Sequence, residues 1–148
     1  MSLNEEVDAL RRVPLFAKMD PTKLKLLAFT SEKLEYQSGQ DLCKQGDTGD
    51  AMYVIMAGEA DVIVNTPGGE HVVAHLGKNS FVGEIAILCD VPRTATVRAK
   101  QKLSALRISK ELFFKLVGEF PQIAVEIMRE LAHRLDRTTK DLAKAKAA

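Results

Sequence analysis

The side chains best suited to binding a charged ligand are concentrated between positions 81 and 97. This stretch reads Phe-Val-Gly-Glu-Ile-Ala-Ile-Leu-Cys-Asp-Val-Pro-Arg-Thr-Ala-Thr-Val. Gly83 lets the backbone turn tightly and approach a ligand, and the residues from Glu84 to Leu88 have room for one helical turn. The unpaired N–H groups and positive dipole end at the start of such a turn favour an anion. The stretch therefore predicts an anion site.

Two charged side chains indicate which kind of anion this would be. Arg93 follows Pro92 where a strand is expected to begin, and its planar guanidinium can present two parallel donors to a phosphate. Glu84 would repel an anion unless its carboxylate accepts a hydrogen bond from a hydroxyl group, such as a ribose 2′-OH. One phosphate beside one ribose hydroxyl describes a nucleotide.

Other residue types in the chain favour no second chemistry. His71 and His75 could ligate a metal, but their strand phase directs them away from the apolar face, so we predict no metal site. Cys43 and Cys89 are interpreted as small packing residues, and two cysteines predict a reducing, cytoplasmic compartment rather than a disulfide framework. We find no nucleophile–base pair and no Walker loop, so the sequence predicts a protein that is not an enzyme and needs no cofactor.

Helices are predicted at both ends of the chain. Residues 4–30 are expected to form two or three short helices, because Pro14 interrupts the apolar pattern and Asp20-Pro21 is typical of a helix start. Helix returns at about residue 109, where Ser109 is a candidate N-cap. A last helix is predicted from Pro121 to about residue 145.

Strands are predicted between these helices, from about residue 32 to residue 108. Glycines separate short apolar runs, which is typical of an antiparallel sandwich or barrel. The predicted strands cover residues 52–56, 60–64, 71–76, 95–99 and 103–108. A hairpin turn at 65–69 joins the second and third of them. Strict alternation would place Ala60, Val62 and Val64 on one apolar face, and Val72, Ala74 and Leu76 on the apolar face of the next strand.

The last predicted helix has a heptad-like apolar seam. Its members recur at alternating steps of four and three residues: Ala124, Met128, Leu131, Leu135, Thr138, Leu142 and Ala145. This seam has two interpretations, packing back onto the strands as a lid or pairing with a second copy of the chain. A homodimer through this helix is therefore one expectation.

Composition limits the partners of the chain. Its 148 residues include 21 Lys and Arg against 20 Asp and Glu, so the net charge is only +1. This balance indicates no nucleic-acid partner for this chain alone and no membrane-surface partner. The apolar stretches are too short to span a bilayer, and the N-terminus lacks a signal-peptide pattern. We expect one domain covering residues 1–148.

The stretch at 81–97 closely resembles the phosphate-binding cassette of the cyclic nucleotide-binding domain family. That family includes the catabolite activator protein, the regulatory subunits of protein kinases A and G, and cyclic-nucleotide-gated channels. Every fixed position of its pattern, Gly-Glu-x-Ala-(apolar)-(apolar)-x-x-x-Pro-Arg-(Ala/Ser/Thr)-Ala, is filled here. Residues 45–55 with Gly58-Glu59 look like the strand–turn pair ahead of the cassette, and residues 10–16 resemble the N-terminal helical bundle. The resemblance covers roughly residues 8–140.

The resemblance implies a role for each polar site residue. Glu84 would accept the ribose 2′-OH, and Gly83 would let that contact close. Arg93 would pair with an exocyclic phosphate oxygen. The remaining contacts to ribose, phosphate or base would come from the N–H groups of Ile85, Ala86 and Ala95 and from the hydroxyl of Thr94.

The resemblance also implies an apolar wall and a lid for the purine. The wall would consist of Val62, Val72, Ala74 and Leu76, in agreement with the strand phase. The last helix would supply the lid, but it has no aromatic residue after Phe120. The cap over the base therefore falls to His133, Arg134, Leu135 or Arg137, and Arg134 is included in the expected site.

The fold implied is α+β and mainly β. It would be an antiparallel β-roll or jelly-roll barrel with an N-terminal helical bundle, a short phosphate-binding helix and C-terminal lid helices. The function implied is a cyclic-nucleotide sensor that signals through the C-terminal helix to an unknown protein effector. The ligand expected is cAMP. The alternative is cGMP, because Thr94 after the arginine resembles the cassettes of kinase G and of the channels. The alternatives are a nucleotide-free dimerising interaction module and a truncated DNA-binding regulator of the catabolite activator class.

Overall fold

The computed structural model describes residues 3–147, with the helices at the two ends of this range and one short helix between strands. The helices are α1 (Leu3–Arg11), α2 (Pro21–Thr30), α3 (Glu84–Cys89), α4 (Lys110–Glu119) and α5 (Pro121–Ala147), with a 3-10 turn at Pro14–Phe16. The strands are β1 (Glu32–Tyr36), β2 (Asp41–Cys43), β3 (Ala51–Ala57), β4 (Ala60–Thr66), β5 (Gly69–Leu76), β6 (Phe81–Val82), β7 (Thr96–Ala99) and β8 (Leu103–Ser109). Residues 1, 2 and 148 of the expected domain lie outside the described residues.

The strands form two antiparallel four-stranded sheets. One sheet has the order β1-β8-β3-β6 and the other has the order β2-β7-β4-β5. The predicted α+β fold with antiparallel strands is confirmed, and the helices cover more residues than the strands do. The roll is open, since no strand hydrogen-bonds the two sheets into one closed barrel within residues 3–147.

Strand β3 connects the two hydrophobic cores. Met52, Val54 and Met56 pack into the core that the helices cover, whereas Tyr53 and Ile55 pack between the two sheets. A strand that is buried on both faces needs a continuous apolar run, which explains why this segment shows no alternation with polar residues.

The predicted helix starts are present at the expected residues. Asp20 Oδ1 accepts a hydrogen bond from the Thr22 amide at 2.9 Å, and Ser109 Oγ accepts one from the Leu112 amide at 3.2 Å. Each side chain satisfies an amide that has no partner within its helix. These two caps set the start of α2 and of α4.

A β-bulge breaks the predicted alternation in the β4–β5 hairpin. Val62 pairs with Ala74, but the next residue of β4, Ile63, pairs with Val72, so Val73 is left without a partner. An extra residue in one strand reverses the faces on either side of it. The extra residue lies in β5, so it exchanges the faces of β5, while β4 keeps a regular register with β7 from Ala60 to Ile63. Along β4, Ala60 and Ile63 are buried, and Val62 and Val64 are half-buried.

None of the described helices is both long enough and apolar enough to cross a membrane.

Candidate functional site

A cavity of about 910 Å³ lies between the β4–β5 hairpin, α3 and α5. All the residues predicted for the site except Val72 line this cavity. They are Val62, Ala74, Leu76, Gly83, Glu84, Ile85, Ala86, Arg93, Thr94, Ala95 and Arg134. Residues from separate parts of the sequence thus meet around one space.

Gly83 permits the close approach of α3 to the cavity. It precedes α3 with φ 98°, a left-handed conformation that favours glycine. A Cβ at this position would lie 2.5 Å from Nη1 of Arg93 and 3.0 Å from the carbonyl oxygen of Ala51. Any side chain here would displace the arginine, so the turn and the guanidinium position depend on the same glycine.

Arg93 is a buried arginine whose guanidinium is oriented by backbone oxygens. Its Nη1 donates to the Gly83 carbonyl at 3.1 Å, and its Nη2 donates to the Ala51 carbonyl at 2.5 Å. The guanidinium also lies 5.8 Å from the centre of the Tyr53 ring. The carboxylate of Asp50 is 3.7 Å from Nη2. The arginine is therefore fixed in place before any ligand arrives.

Glu84 is the most deeply buried charged residue at this site, with 1% exposure. Its Oε1 accepts a hydrogen bond from Nη1 of Arg134 at 2.9 Å. Its Oε2 is also buried but has no hydrogen-bond partner within residues 3–147. Burial raises the pKa of Glu84, and the guanidinium of Arg134 partly offsets this.

A buried acceptor without a donor is unusual because it has lost its water without regaining a hydrogen bond. The cost is larger for a charged oxygen than for a neutral one. A ligand hydroxyl that reached Oε2 of Glu84 would remove this cost. The arrangement is therefore suited to a ligand that carries a donor at this point.

Arg134 brings α5 into contact with the site. Besides Glu84, its guanidinium donates to the Phe81 carbonyl at 3.2 Å and lies 5.4 Å from the centre of the Phe81 ring. Its Nε donates to Oε1 of Glu130 on the same helix at 3.3 Å. Arg134 was expected from the sequence as a cap over the base, but its bond to Glu84 was not expected.

Of the other three candidates for the lid, two line the cavity and one does not. His133 and Arg137 line the cavity together with Arg134. Leu135 is 67% exposed and is absent from the lining, so the expectation that it could cap the base is wrong. The reason is helical geometry, because successive residues of α5 point in directions about 100° apart.

The apolar wall differs from the predicted one at a single strand. Val72 is 53% exposed and lies outside the cavity, whereas Val73 lines it. The bulge in β5 explains this exchange, because Val73 is its unpaired residue.

Cys43, interpreted from the sequence as a packing residue, also lines the cavity, and burial raises the pKa of its thiol.

The loop before β3 was not assigned to the site by the sequence analysis, yet it supports both α3 and Arg93. A Cβ on Gly49 would lie 2.2 Å from the Cβ of Ala86, so this glycine lets α3 pack against the loop. The amide of Arg93 donates to the Asp47 carbonyl at 2.8 Å, and the amide of Gly46 donates to the Arg93 carbonyl at 2.9 Å. The spacing of Gly46 and Gly49 was the available signal.

Comparisons with known proteins agree with this geometry. The family model described as "Cyclic nucleotide-binding domain" matches residues 33–120, more than half of the chain. The chain belongs to the cyclic nucleotide-binding domain family.

Individual relatives are similar over most of this chain. It is 38% identical over 115 residues, 77% of its length, to a protein named cAMP-dependent protein kinase regulatory subunit from Blastocladiella emersonii. The N-terminal domain of a transcriptional regulator from Streptomyces coelicolor A3(2) superposes with a TM-score of 0.69 and 32% identity, over 88% of this chain and 94% of that one. The catabolite activator protein of Thermus thermophilus gives a TM-score of 0.78 and 28% identity, over 87% of this chain.

The chain is shorter than two of these proteins. It spans 28% of the length of the Blastocladiella subunit and 61% of the Thermus protein.

Proposed function

We propose that this chain binds a cyclic nucleotide, cAMP in the first place and cGMP as the alternative, and that it acts as a regulatory domain. The relatives are named as regulatory subunits and as regulators, which supports binding and signalling over catalysis. Several of their names specify cAMP, which supports it as the ligand.

The observation that carries the proposal is the orphaned oxygen of Glu84 in the same cavity as Arg93. Oε2 of Glu84 requires a donor, and the guanidinium of Arg93 attracts an anion. A ligand with a hydroxyl and a phosphate satisfies both side chains, whereas a simple anion satisfies only Arg93 and is repelled by Glu84. Ribose with a cyclised phosphate has both groups on one rigid unit.

The cavity wall supports a purine next to this polar pair. Val62, Val73 and Leu76 supply apolar surface from one side. His133 and Arg137 of α5 supply polar groups from the other side. Small-molecule sites are usually lined by apolar side chains with a few polar groups that fix the orientation of the ligand.

Signalling would pass through α5, because Arg134 connects that helix to Glu84. A ligand can shift α5 only if it contacts two positions of the helix differently. A ribose hydroxyl that donates to Oε2 of Glu84 would change how strongly the same carboxylate binds Arg134. The partner that responds to this change would be a protein effector or a second copy of the chain.

A second copy is favoured by the exposure of α5. Every described side chain of residues 135–146 is exposed, and Met128, Leu135 and Leu142 repeat at seven-residue intervals along the helix. An isolated helix of about 12 residues, the length of this exposed segment, is only marginally stable in water. Pairing of two such seams would bury the exposed apolar residues, so we expect a homodimer.

The direct test of binding is calorimetric titration with cAMP and with cGMP at matched salt. We expect micromolar or tighter binding of at least one of them. Arg93→Gln should weaken it at least tenfold, since charge-assisted hydrogen bonds contribute about 1.5–3 kcal/mol each. The matched control is Arg98→Gln, because Arg98 pairs with Asp41 and Glu70 on the surface and lies outside the cavity.

Two outcomes would contradict the proposal. One is the absence of heat and of any thermal shift with both nucleotides, which would favour a nucleotide-free dimerising module. The other is equal affinity in the Arg93 and Arg98 variants, which would place the phosphate elsewhere.

A further inference from the structure

Arg93 shares its nearest carboxylate with a second arginine. The Oδ1 atom of Asp50 lies 3.7 Å from Nη2 of Arg93, while its Oδ2 accepts a hydrogen bond from Nη2 of Arg107 at 3.1 Å. The side chain of Asp50 is 66% exposed and can rotate between the two cations. In the observed position it is bound more closely to Arg107.

The position of Arg107 in β8 is unusual for a charged residue. It shares the strand face of Leu103 and Ala105, which are buried between the two sheets. Across the sheet it is paired with Tyr53 of β3 and with Glu32 of β1. Its Nη1 is 3.6 Å from Oε2 of Glu32, so Arg107 has carboxylates on two sides.

The backbone of Asp50 is held independently of its side chain. Its carbonyl accepts a hydrogen bond from the amide of Lys110, the first residue of α4, at 2.8 Å. Ala51, the next residue, supplies the carbonyl that accepts from Arg93. The backbone of Asp50 is therefore fixed, and only its carboxylate can rotate between Arg93 and Arg107.

We propose that Arg107 is a positioning residue for phosphate binding: by binding the Asp50 carboxylate more closely, it weakens the pairing of Asp50 with Arg93 and so leaves more of the charge of Arg93 available to the phosphate. This inference rests on the proposed function, because it concerns the same cyclic-nucleotide site. Arg107 does not line the cavity, so it acts through Asp50 and not by touching the ligand.

Loss of Arg107 would change the competition for Arg93. The Asp50 carboxylate would turn to Arg93, and a phosphate would then have to displace it. Pairs of this kind, partly exposed to water, are of modest strength. We therefore expect Arg107→Gln to weaken cAMP binding by about two- to fivefold, which is less than the effect of removing Arg93 itself.

The test is a double-mutant cycle between Arg107→Gln and Asp50→Asn, measured by calorimetric titration of the full chain with cAMP. The proposal predicts that Arg107→Gln weakens binding in the wild-type background but changes it by less than about twofold in the Asp50→Asn background. Arg98→Gln is the matched control and should leave the affinity unchanged in both backgrounds. An equal loss in both backgrounds, or no loss in either, would overturn the inference.

A second measurement needs no nucleotide and separates this inference from the proposed function. Approach of the Asp50 carboxylate should shift the side-chain Nε–H resonance of Arg93 in Arg107→Gln, but not in Arg98→Gln or in the Arg107→Gln/Asp50→Asn double variant. An unchanged resonance in Arg107→Gln contradicts the inference even if cAMP binds. If wild-type protein binds neither cAMP nor cGMP, the proposed function fails, and this resonance still reports whether Asp50 turns to Arg93.

Discussion

The carboxylate of Glu84 sits in surroundings that oppose its charge. Its exposure is 1%, one oxygen has no partner among the described residues, and the guanidinium of Arg134 reaches only the other oxygen. Burial of a partly satisfied charge lowers the stability of the folded protein. Such a residue is expected where a ligand completes the hydrogen bonding.

The pKa of Glu84 gives a prediction for stability without ligand. Because burial raises this pKa in the folded state, the unfolded chain loses the proton at lower pH than the folded one does. The free energy of unfolding of wild type should therefore fall, relative to Glu84→Gln, as pH rises from about 4 to neutrality. Chemical denaturation of both proteins across this range measures the difference.

The expected result at neutral pH is a ligand-free Glu84→Gln protein that is at least as stable as wild type. Arg134 is left without its partner in this variant, but its side chain is 31% exposed and is also bonded to Glu130. A stability difference that does not change with pH, or one that grows in favour of wild type as pH rises, would contradict the assignment.

Sequence patterns predicted the polar residues of the site better than their mutual contacts. Glu84 and Arg93 could be predicted because they lie in one short motif whose residue types have a clear chemical meaning. The bond between Glu84 and Arg134 joins residues that are far apart in sequence, and it depends on how α5 packs. The sharing of Asp50 by Arg93 and Arg107 depends in the same way on three separate segments.

Among the secondary-structure elements, the β4–β5 hairpin is the one in which strict alternation of faces failed to predict every side chain at the cavity. Alternation correctly placed Val62, Ala74 and Leu76 around one space. It failed at Val72, since a single unpaired residue in β5 exchanges Val72 for Val73 at the cavity. A bulge changes no residue type and adds no glycine, so the sequence of this strand carried no signal for it.

The α5 helix is the element whose behaviour should depend on ligand. We expect saturating cAMP to change amide hydrogen exchange in residues 130–138, because Arg134 and its neighbours contact the site. Helix α2 is the internal control, as none of its residues lines the cavity. Hydrogen exchange followed by mass spectrometry on the full chain measures both. Identical exchange along α5 with and without ligand would rule out a lid.

For the whole molecule, the helical ends and the strand region were predictable in order and nearly in extent. The helix caps at Asp20 and Ser109 and the glycine-separated apolar runs supplied that information. Three strands were not predicted, namely β1, β2 and β6. Strand β1 reads Glu-Lys-Leu-Glu-Tyr and the other two are very short, so pairing with their neighbours defines them more than their own residues do.

The exposed seam of α5 gives a prediction about assembly. Leu135→Glu should convert a dimer to a monomer, because it places a charge in the middle of the paired apolar stripe. Lys144→Glu is the matched control, since Lys144 is exposed and lies nine residues, or two and a half helical turns, beyond Leu135, on the opposite side of the helix. Light scattering coupled to size-exclusion chromatography measures the mass of each variant. A monomeric wild type, or equal masses for the two variants, would contradict the dimer.

The proposed contact between Glu84 and the ribose hydroxyl of a cyclic nucleotide can be tested by removing each partner in turn. The measurement is the affinity of wild type and of Glu84→Gln for cAMP and for 2′-deoxy-cAMP. We expect wild type to bind cAMP about tenfold or more tightly than the deoxy compound, since a hydrogen bond to a charged group contributes about 1.5–3 kcal/mol. In Glu84→Gln this preference should shrink to less than about threefold. An equal preference in both proteins would contradict the claim, because the hydroxyl would then be bound by some other residue.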